Sequence, residues 1–390
     1  MEIRQLKNEE RFEARKISVI AFHESMEDPE KEREESEKVT DEDWGAFADD
    51  GTLMAHIINN DFMCYFDGDL IKNGGIGAVS TLPEYRASGA IAAIFRELLP
   101  HAYKNGEIIS TLYPFNHAFY RKAGYETICW QNEYEFAPEI LKNYRFNGEA
   151  VLWKEGDPVS EYTDVYDRFA KNYNLAIRRS DECMMKMHMK GDCYRDRKFC
   201  YLLKEDGEAV GYLIFKDSKT EEGAHLVVKD LAFIGRRGFL AVLGFLARFQ
   251  ADYVKIELFL PRDLELLSVI KSPNAYAIRK NGKQEYMARI INAKELLSRM
   301  KKPDGASFVI RITDDIIKEN NGTFLVEGKN VSPTQEEPDL IVSERALAQL
   351  VTGSVSLRES SYREDVEICD KSAVLAEIFT PKPILVEDHF

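Results

Sequence analysis

The sequence predicts an α/β protein of several units, with mixed sheets flanked by helices. Three observations carry that prediction. The chain has 390 residues, more than one ordinary domain. It is 44% apolar and 11% aromatic, enough for more than one core. Short β-type runs alternate with stretches of helical spacing along most of its length, most plainly over 75–99, GIGAVSTLPEYRASGAIAAIFRELL. The net charge of −15 argues against a nucleic-acid partner and fits a cationic one. Cys64, Cys129, Cys183, Cys193, Cys200 and Cys369 form neither a Cys-x-x-Cys pair nor a zinc spacing, so reduced thiols and no metal are expected. No signal peptide, spanning apolar run or lipidation motif is read, so the expectation is a soluble, cytoplasmic protein without membrane attachment.

In order, 2–6 reads as an opening strand and Asn8 as the N-cap of a helix to residue 22, with Glu9 and Glu10 in its first turn. The charge-dense stretch 28–43 reads as a solvated helix face. The β runs 52–58 and 62–66, separated by Asn59-Asn60-Asp61, read as a hairpin. Asp67-Gly68 and Asn73-Gly74-Gly75 then punctuate the approach to a strand at 76–81, which Pro83 stops because proline cannot donate to a ladder. A turn from Arg86 to Ile91 opens a helix with Ile91, Ile94, Phe95, Leu98 and Leu99 on one face. Unpaired N–H groups at that helix start, with the dipole behind them, suit a pyrophosphate. A strand at 108–112, the run PFNHAFYRKAGY from Pro114, and an alternating strand at 128–136 that closes the first sheet complete this part.

Arg86-x-x-Gly89-x-x after a strand, with no Lys-Ser/Thr following, resembles the pyrophosphate loop of the GCN5-related N-acetyltransferases. Ile91 stands where that family carries Gly or Ala. Asn116, Tyr120, Gly124 and Tyr125, after the next strand, resemble the second half of the same core. The resemblance implies that acetyl-CoA is the co-substrate. Val79, Ser80 and Thr81 would offer a strand edge to the pantetheine arm, and Arg86, Ala87, Ser88, Gly89, Ala90 and Ile91 would hold the pyrophosphate. Asn116 would lie near the arm, with helix capping as its other reading. A tyrosine hydroxyl would protonate the leaving thiolate. The resemblance puts it at Tyr125, and other members of the superfamily put it at Tyr120.

A second α/β pattern follows, with a helix at 159–172, strands at 201–203, 209–215 and 224–233, and a buried helix at 239–249. Arg236-Arg237-Gly238 lacks the loop's spacing, so 137–288 reads as a degenerate copy of 1–136 without cofactor. The Met-rich piece from Cys183 to Met189 reads as core packing rather than a copper site. Over 289–390, a helix at 293–300, strands at 307–312, 322–326 and 339–342, and a helix at 344–353 resemble a sterol-carrier-protein-like α+β domain. The three-part order resembles the Eis-type (enhanced intracellular survival) acetyltransferases along the whole chain. That resemblance implies a homo-hexamer acetylating primary amines of a cationic acceptor, aminoglycoside-like or lysine/polyamine-like. It also implies an unusual base, the α-carboxylate of the last residue, Phe390. An α-carboxylate, with a pKa of roughly 3.3–3.7, is a weak base unless desolvated, so it can equally bind the substrate ammonium. His389 stands where some relatives carry an acid. The alternative function is a carrier of an apolar ligand, with Phe308, Ile310, Phe324 and Leu325 lining its cavity.

Overall fold

Where apolar and polar residues alternate the chain extends, and where apolar residues recur every three to four it coils. The computed structural model describes residues 1–38, 42–271 and 277–388. The first part runs β1 (Glu2–Gln5), α1 (Arg11–Phe22), α2 (Pro29–Glu37), β2 (Glu42–Phe47), β3 (Leu53–Phe66), β4 (Asp69–Thr81), α3 (Ala90–Lys104), β5 (Ile109–Leu112), α4 (His117–Arg121) and β6 (Glu126–Phe136). The second repeats that order: β7 (Glu149–Leu152), α5 (Ser160–Ala170), α6 (Asp181–Cys183), β8 (Lys198–Glu205), β9 (Glu208–Thr220), β10 (Gly223–Phe233), α7 (Gly235–Leu246), β11 (Lys255–Pro261), α8 (Leu266–Val269) and β12 (Ile278–Ile290). The third contains α9 (Ala293–Arg299), β13 (Ser307–Thr313), β14 (Gly322–Glu327), β15 (Asn330–Pro333), β16 (Leu340–Ser343), α10 (Glu344–Thr352), α11 (Leu357–Ser360), β17 (Val366–Ile368) and α12 (Ser372–Ile378).

The first two parts share one twelve-stranded sheet, ordered β1-β2-β3-β4-β5-β12-β6-β11-β10-β9-β8-β7. Read from its two edges inward, the order is the same, including a parallel pair in each half, β4 with β5 and β10 with β11. The halves exchange their last strands. β6 pairs with β11 and β12, and β12 pairs with β5 from Met287↔Leu112 to Ile290↔Ile109. The expectation that 128–136 closes the first sheet is therefore corrected, because alternation marks a strand without naming its neighbour. The third part forms its own sheet, β15-β14-β13-β16-β17.

Two local expectations also change. The runs 52–58 and 62–66 are one strand, β3, not a hairpin. Asn59 donates to Glu107 Oε1 at 2.8 Å and Asn60 to the Gly75 carbonyl at 2.7 Å, so both side-chain N–H donors find acceptors without a turn, although Asn59 Oδ1 has no partner among the described residues. The hairpin lies instead at Asp67-Gly68, where both φ angles are positive, +50° and +86°, as a tight two-residue turn between right-twisted strands requires. Asn8 does not cap α1. A 3₁₀ turn, Asn8–Glu10, leads into the helix, and Glu10 accepts from the Lys7 N–H at 2.9 Å.

The third part locks onto the exchanged strands. Helix α10 packs against β6 and β12, and Gln349 donates to the Thr127 carbonyl at 2.8 Å. Arg289 of β12, fully buried, forks onto Asp314 at 2.7 and 3.1 Å. Burial opposes ionisation of Asp314, but Arg289 and Asn320 hold its carboxyl below the usual range. Asp314→Ala leaves a buried guanidinium unpaired and is expected to cost about 3–5 kcal/mol. Urea unfolding checks this, and a loss below about 1 kcal/mol contradicts it.

Candidate active site

Strands β4 and β5 pair only from Asn73↔Ile109 to Ile76↔Leu112, after which β5 ends and β4 runs on to Thr81. Against β3, the register slips between Ile58↔Gly77 and His56↔Ser80, so Ala78 and Val79 together face Ile57. Ala78 takes up the extra residue at φ +51°, where L side chains are strained. The bulge leaves main-chain groups of β4 on the β5 side without a strand partner. That free edge can receive an extended ligand as an added strand.

The edge leads to the start of α3, a 15-residue helix. Gly89 is its N-cap at φ +84°, and Ala87 adopts φ +64° two residues earlier. Among the described residues, the N–H groups of Ala87, Gly89, Ile91 and Ala92 have no acceptor, while that of Ala90 reaches Ser88 Oγ at 3.3 Å. These donors, concentrated at the positive end of a helix dipole, form an anion cradle. Ile91 does not spoil it, since the donors belong to the backbone.

Edge and cradle line one cleft of about 850 Å³. Val79, Ser80, Thr81 and all of 86–91 border it, so nine of the ten expected cofactor residues converge. Sequence reasoning missed Lys122, which adds a second cation to Arg86, and the aromatic wall of Phe22, Tyr85, Phe115 and Phe119. Phe115 is 68% exposed at the cleft, which no local sequence pattern announces. Asn116, the tenth residue, does not border the cleft; its side chain caps α4 by accepting from the Phe119 N–H at 3.1 Å.

The two tyrosines sit differently. Tyr125 is wholly buried, its hydroxyl 2.8 Å from Ser110 Oγ, at the level where β4 and β5 are still paired. Tyr120 packs edge-on against the cleft residues Phe115 and Phe119, with centroids 5.3 and 5.2 Å away. Its hydroxyl has no partner among the described residues and, unlike that of Tyr166, is not walled off. Burial raises both phenols. Phe390, the expected base, lies outside the described residues.

The chain leading to it is held firmly. Asn174 and Ile384 form a parallel bridge, and Gln131 donates to the Val386 carbonyl at 3.3 Å. Asp388 Oδ1 accepts from Arg179 Nε and approaches His188 Nε2, each at 2.8 Å. Arg179 also donates to Asp230 at 2.8 Å and lies 3.7 Å from the centre of the Tyr166 ring. Burial would raise the Asp388 carboxyl, yet Arg179 and His188 hold it far below the usual range. Glu387 has a sealed, unpartnered Oε2, and burial followed by the charge of Asp230 pushes it up to about 8.

Among the described residues the cysteines are unbridged, no cluster of three or more metal-ligating side chains occurs, and no helix is long and apolar enough to cross a membrane. Residues 2–128 match the acetyltransferase (GNAT) domain family, and 293–385 match the sterol carrier protein domain family. No curated protein sequence matches the chain. Solved structures share its fold, among them the following three. A GCN5-related N-acetyltransferase from Anabaena variabilis ATCC 29413 is 19% identical, with a TM-score of 0.87 over 100% of both chains. A conserved protein of unknown function from Enterococcus faecalis V583, described as a probable N-acyltransferase, is 22% identical, with a TM-score of 0.86 over 100% of this chain and 99% of that one. Eis1 from Mycobacterium abscessus is 20% identical, with a TM-score of 0.84 over 100% of both.

The tail anchor carries a pH signature. Glu387, raised from about 4.3 unfolded to about 8 folded, makes the folded state bind the extra proton between those values, so its effect is to lower stability as pH rises through that window. Asp388 works oppositely and only in acid: its contribution is full above about pH 4 and is lost as pH falls further. Between pH 5 and 8, Glu387→Gln is expected to flatten a falling thermal midpoint, read by calorimetry. Parallel profiles for the two proteins contradict this.

Proposed function

We propose that the chain, with a GNAT acetyltransferase domain in front, a sterol-carrier-protein domain behind and the fold it shares with Eis1, is an acyltransferase of the Eis-type plan that transfers acetyl from acetyl-CoA to a primary amine of a cationic acceptor. The observation that carries the proposal is the junction of three features in one cleft: a strand edge freed by the bulge at Ala78, an anion cradle over residues 87–92, and an aromatic wall. The donor supplies an activated thioester. The free edge of β4 aligns its arm and directs backbone N–H groups at the carbonyl where charge develops. The cradle holds the pyrophosphate, with Arg86 and Lys122 adding charge.

For the acid, Tyr120 is favoured over Tyr125. The Tyr125 hydroxyl is occupied by Ser110 below the parting of the strands, whereas Tyr120 stands against the cleft wall with an uncommitted hydroxyl. A phenol raised by burial stays protonated until the thiolate departs. The terminal carboxylate of Phe390 takes the acceptor's proton or binds its ammonium. Anchoring of the chain through Asp388, two residues earlier, supports that role. A net charge of −15 supports an aminoglycoside-like or polyamine-like acceptor. Homo-oligomerisation belongs to the same reading. The lipid-carrier alternative loses its footing because Phe308 meets Phe379 edge-on at 5.7 Å and is buried with Ile310 and Phe324 in the ordinary core of the third part.

Free-thiol release from acetyl-CoA with a panel of polyamines, aminoglycosides and lysine peptides tests the proposal. Tyr120→Phe is expected to lower kcat about 100-fold with acetyl-CoA affinity unchanged, and Tyr125→Phe less than about tenfold. The reverse ranking returns the acid to Tyr125. Adding three residues after Phe390 is expected to abolish most of the rate; an unaffected rate removes the carboxylate from the mechanism.

A further inference from the structure

Four polar side chains from four elements meet beneath the cleft. They are Ser18 of α1, Asp43 of β2, His56 of β3 and Ser80 of β4, and each is at most 4% exposed. The His56 ring spans them, with Nδ1 3.0 Å from Asp43 Oδ1 and Nε2 2.8 Å from Ser18 Oγ. Ser18 Oγ lies 3.4 Å from Ser80 Oγ. A carboxylate at Nδ1 fixes the proton there, so Nε2 accepts from the Ser18 hydroxyl and Ser18 is left to accept from Ser80. The line of donors and acceptors thus has one direction, from Ser80 inward to Asp43.

Its outer end opens at the site. Ser80 lies just past the bulge and borders the cleft beside Ala21, Phe22 and His23, the end of the helix that carries Ser18. Ser18 itself does not border the cleft, which argues against attack by Ser18 on the thioester. Burying an imidazole and a carboxylate where Ala14 and Ile17 show that α1 can pack with apolar groups is costly. That cost is understandable if the pair handles a proton.

We propose that Ser80, Ser18, His56 and Asp43 form a proton relay that takes the proton of the acceptor ammonium, which the terminal carboxylate of Phe390 binds, and delivers a neutral amine to the thioester. The proposal rests on the acetyl-transfer reading. Ser80 is the group that meets the acceptor, and the other three are positioning residues behind it. One N–H bond of the ammonium breaks as Ser80 Oγ accepts its proton. Ser80 passes its own proton to Ser18, and Ser18 passes its own to His56 Nε2, giving an imidazolium paired with Asp43. After the nitrogen bonds to the acetyl carbon and the carbon–sulfur bond breaks, the nitrogen's second proton replaces the one the tyrosine gives to sulfur. The amide product has no basic nitrogen, so the relay discharges to solvent by the reverse path. One proton is released per acetyl transferred.

The test compares Ser18→Ala with Ser18→Thr, which keeps a hydroxyl. Each is assayed with an alkylamine acceptor, cationic at pH 7, and with a hydrazide, neutral at pH 7; acetyl-CoA affinity is measured by titration. Ser18→Ala is expected to lose tenfold or more of kcat with the alkylamine while keeping its acetyl-CoA affinity, and Ser18→Thr to recover most of the loss. With the hydrazide, which has no ammonium proton to shed before attack, the Ser18→Ala deficit is expected to shrink below threefold. Full alkylamine activity in Ser18→Ala overturns the relay, as does an equal deficit with both acceptors. If wild-type protein neither binds acetyl-CoA nor acetylates any amine, the acetyl-transfer reading is what fails.

Discussion

The parting of β4 from β5 is the constraint on which the rest of the site depends. A ladder satisfies backbone groups pairwise, so a strand that outruns its neighbour must leave donors and acceptors unpaired. Here the outrunning segment, from Gly77 to Thr81, contains the bulge at Ala78 and runs toward the α3 N-terminus. Unpaired strand groups and unpaired helix groups therefore line one cleft. The positive φ of Ala78 is the local strain of keeping them there, held by pairing with β3 on the other side.

A second constraint is cohesion. The three parts must be held to one another, and three features accomplish this. The exchange of β6 and β12 joins the two acetyltransferase-like halves into one sheet. The Arg289–Asp314 pair fixes the third part to β12. The Arg179 cluster then clamps Asp388 onto the second half. The second half repeats the order of the first. Its counterpart of the anion loop is committed elsewhere: Arg237 pairs with Glu205 and Asp206, and a Cβ at Gly238 would come within 2.1 Å of the Val210 carbonyl.

Local signals were legible and long-range ones were not. Pro83 ends a strand and a small-residue turn starts a helix by rules that act within a few residues, so the strand–turn–helix that borders the cleft could be read from the chain. Asn59 and Asn60 misled because their polarity suggests a turn, whereas inside β3 their amide N–H groups donate to Glu107 and the Gly75 carbonyl. Gly74 looked like punctuation, yet it lies inside β4 because a side chain there would strike Glu107 and Asn59. The strand exchange, the pairing of Arg179 with Asp388 across 209 positions, and the meeting of Ser18 with His56 depend on topology. Nothing in local composition announces an alanine that must adopt a positive φ.

Calorimetric titration of the intact protein with acetyl-CoA tests the central claim most directly. One molecule bound per chain, displaced by free CoA, is expected, because one half of the sheet keeps an open cradle beside a free strand edge. No measurable binding, or two molecules per chain, would contradict it.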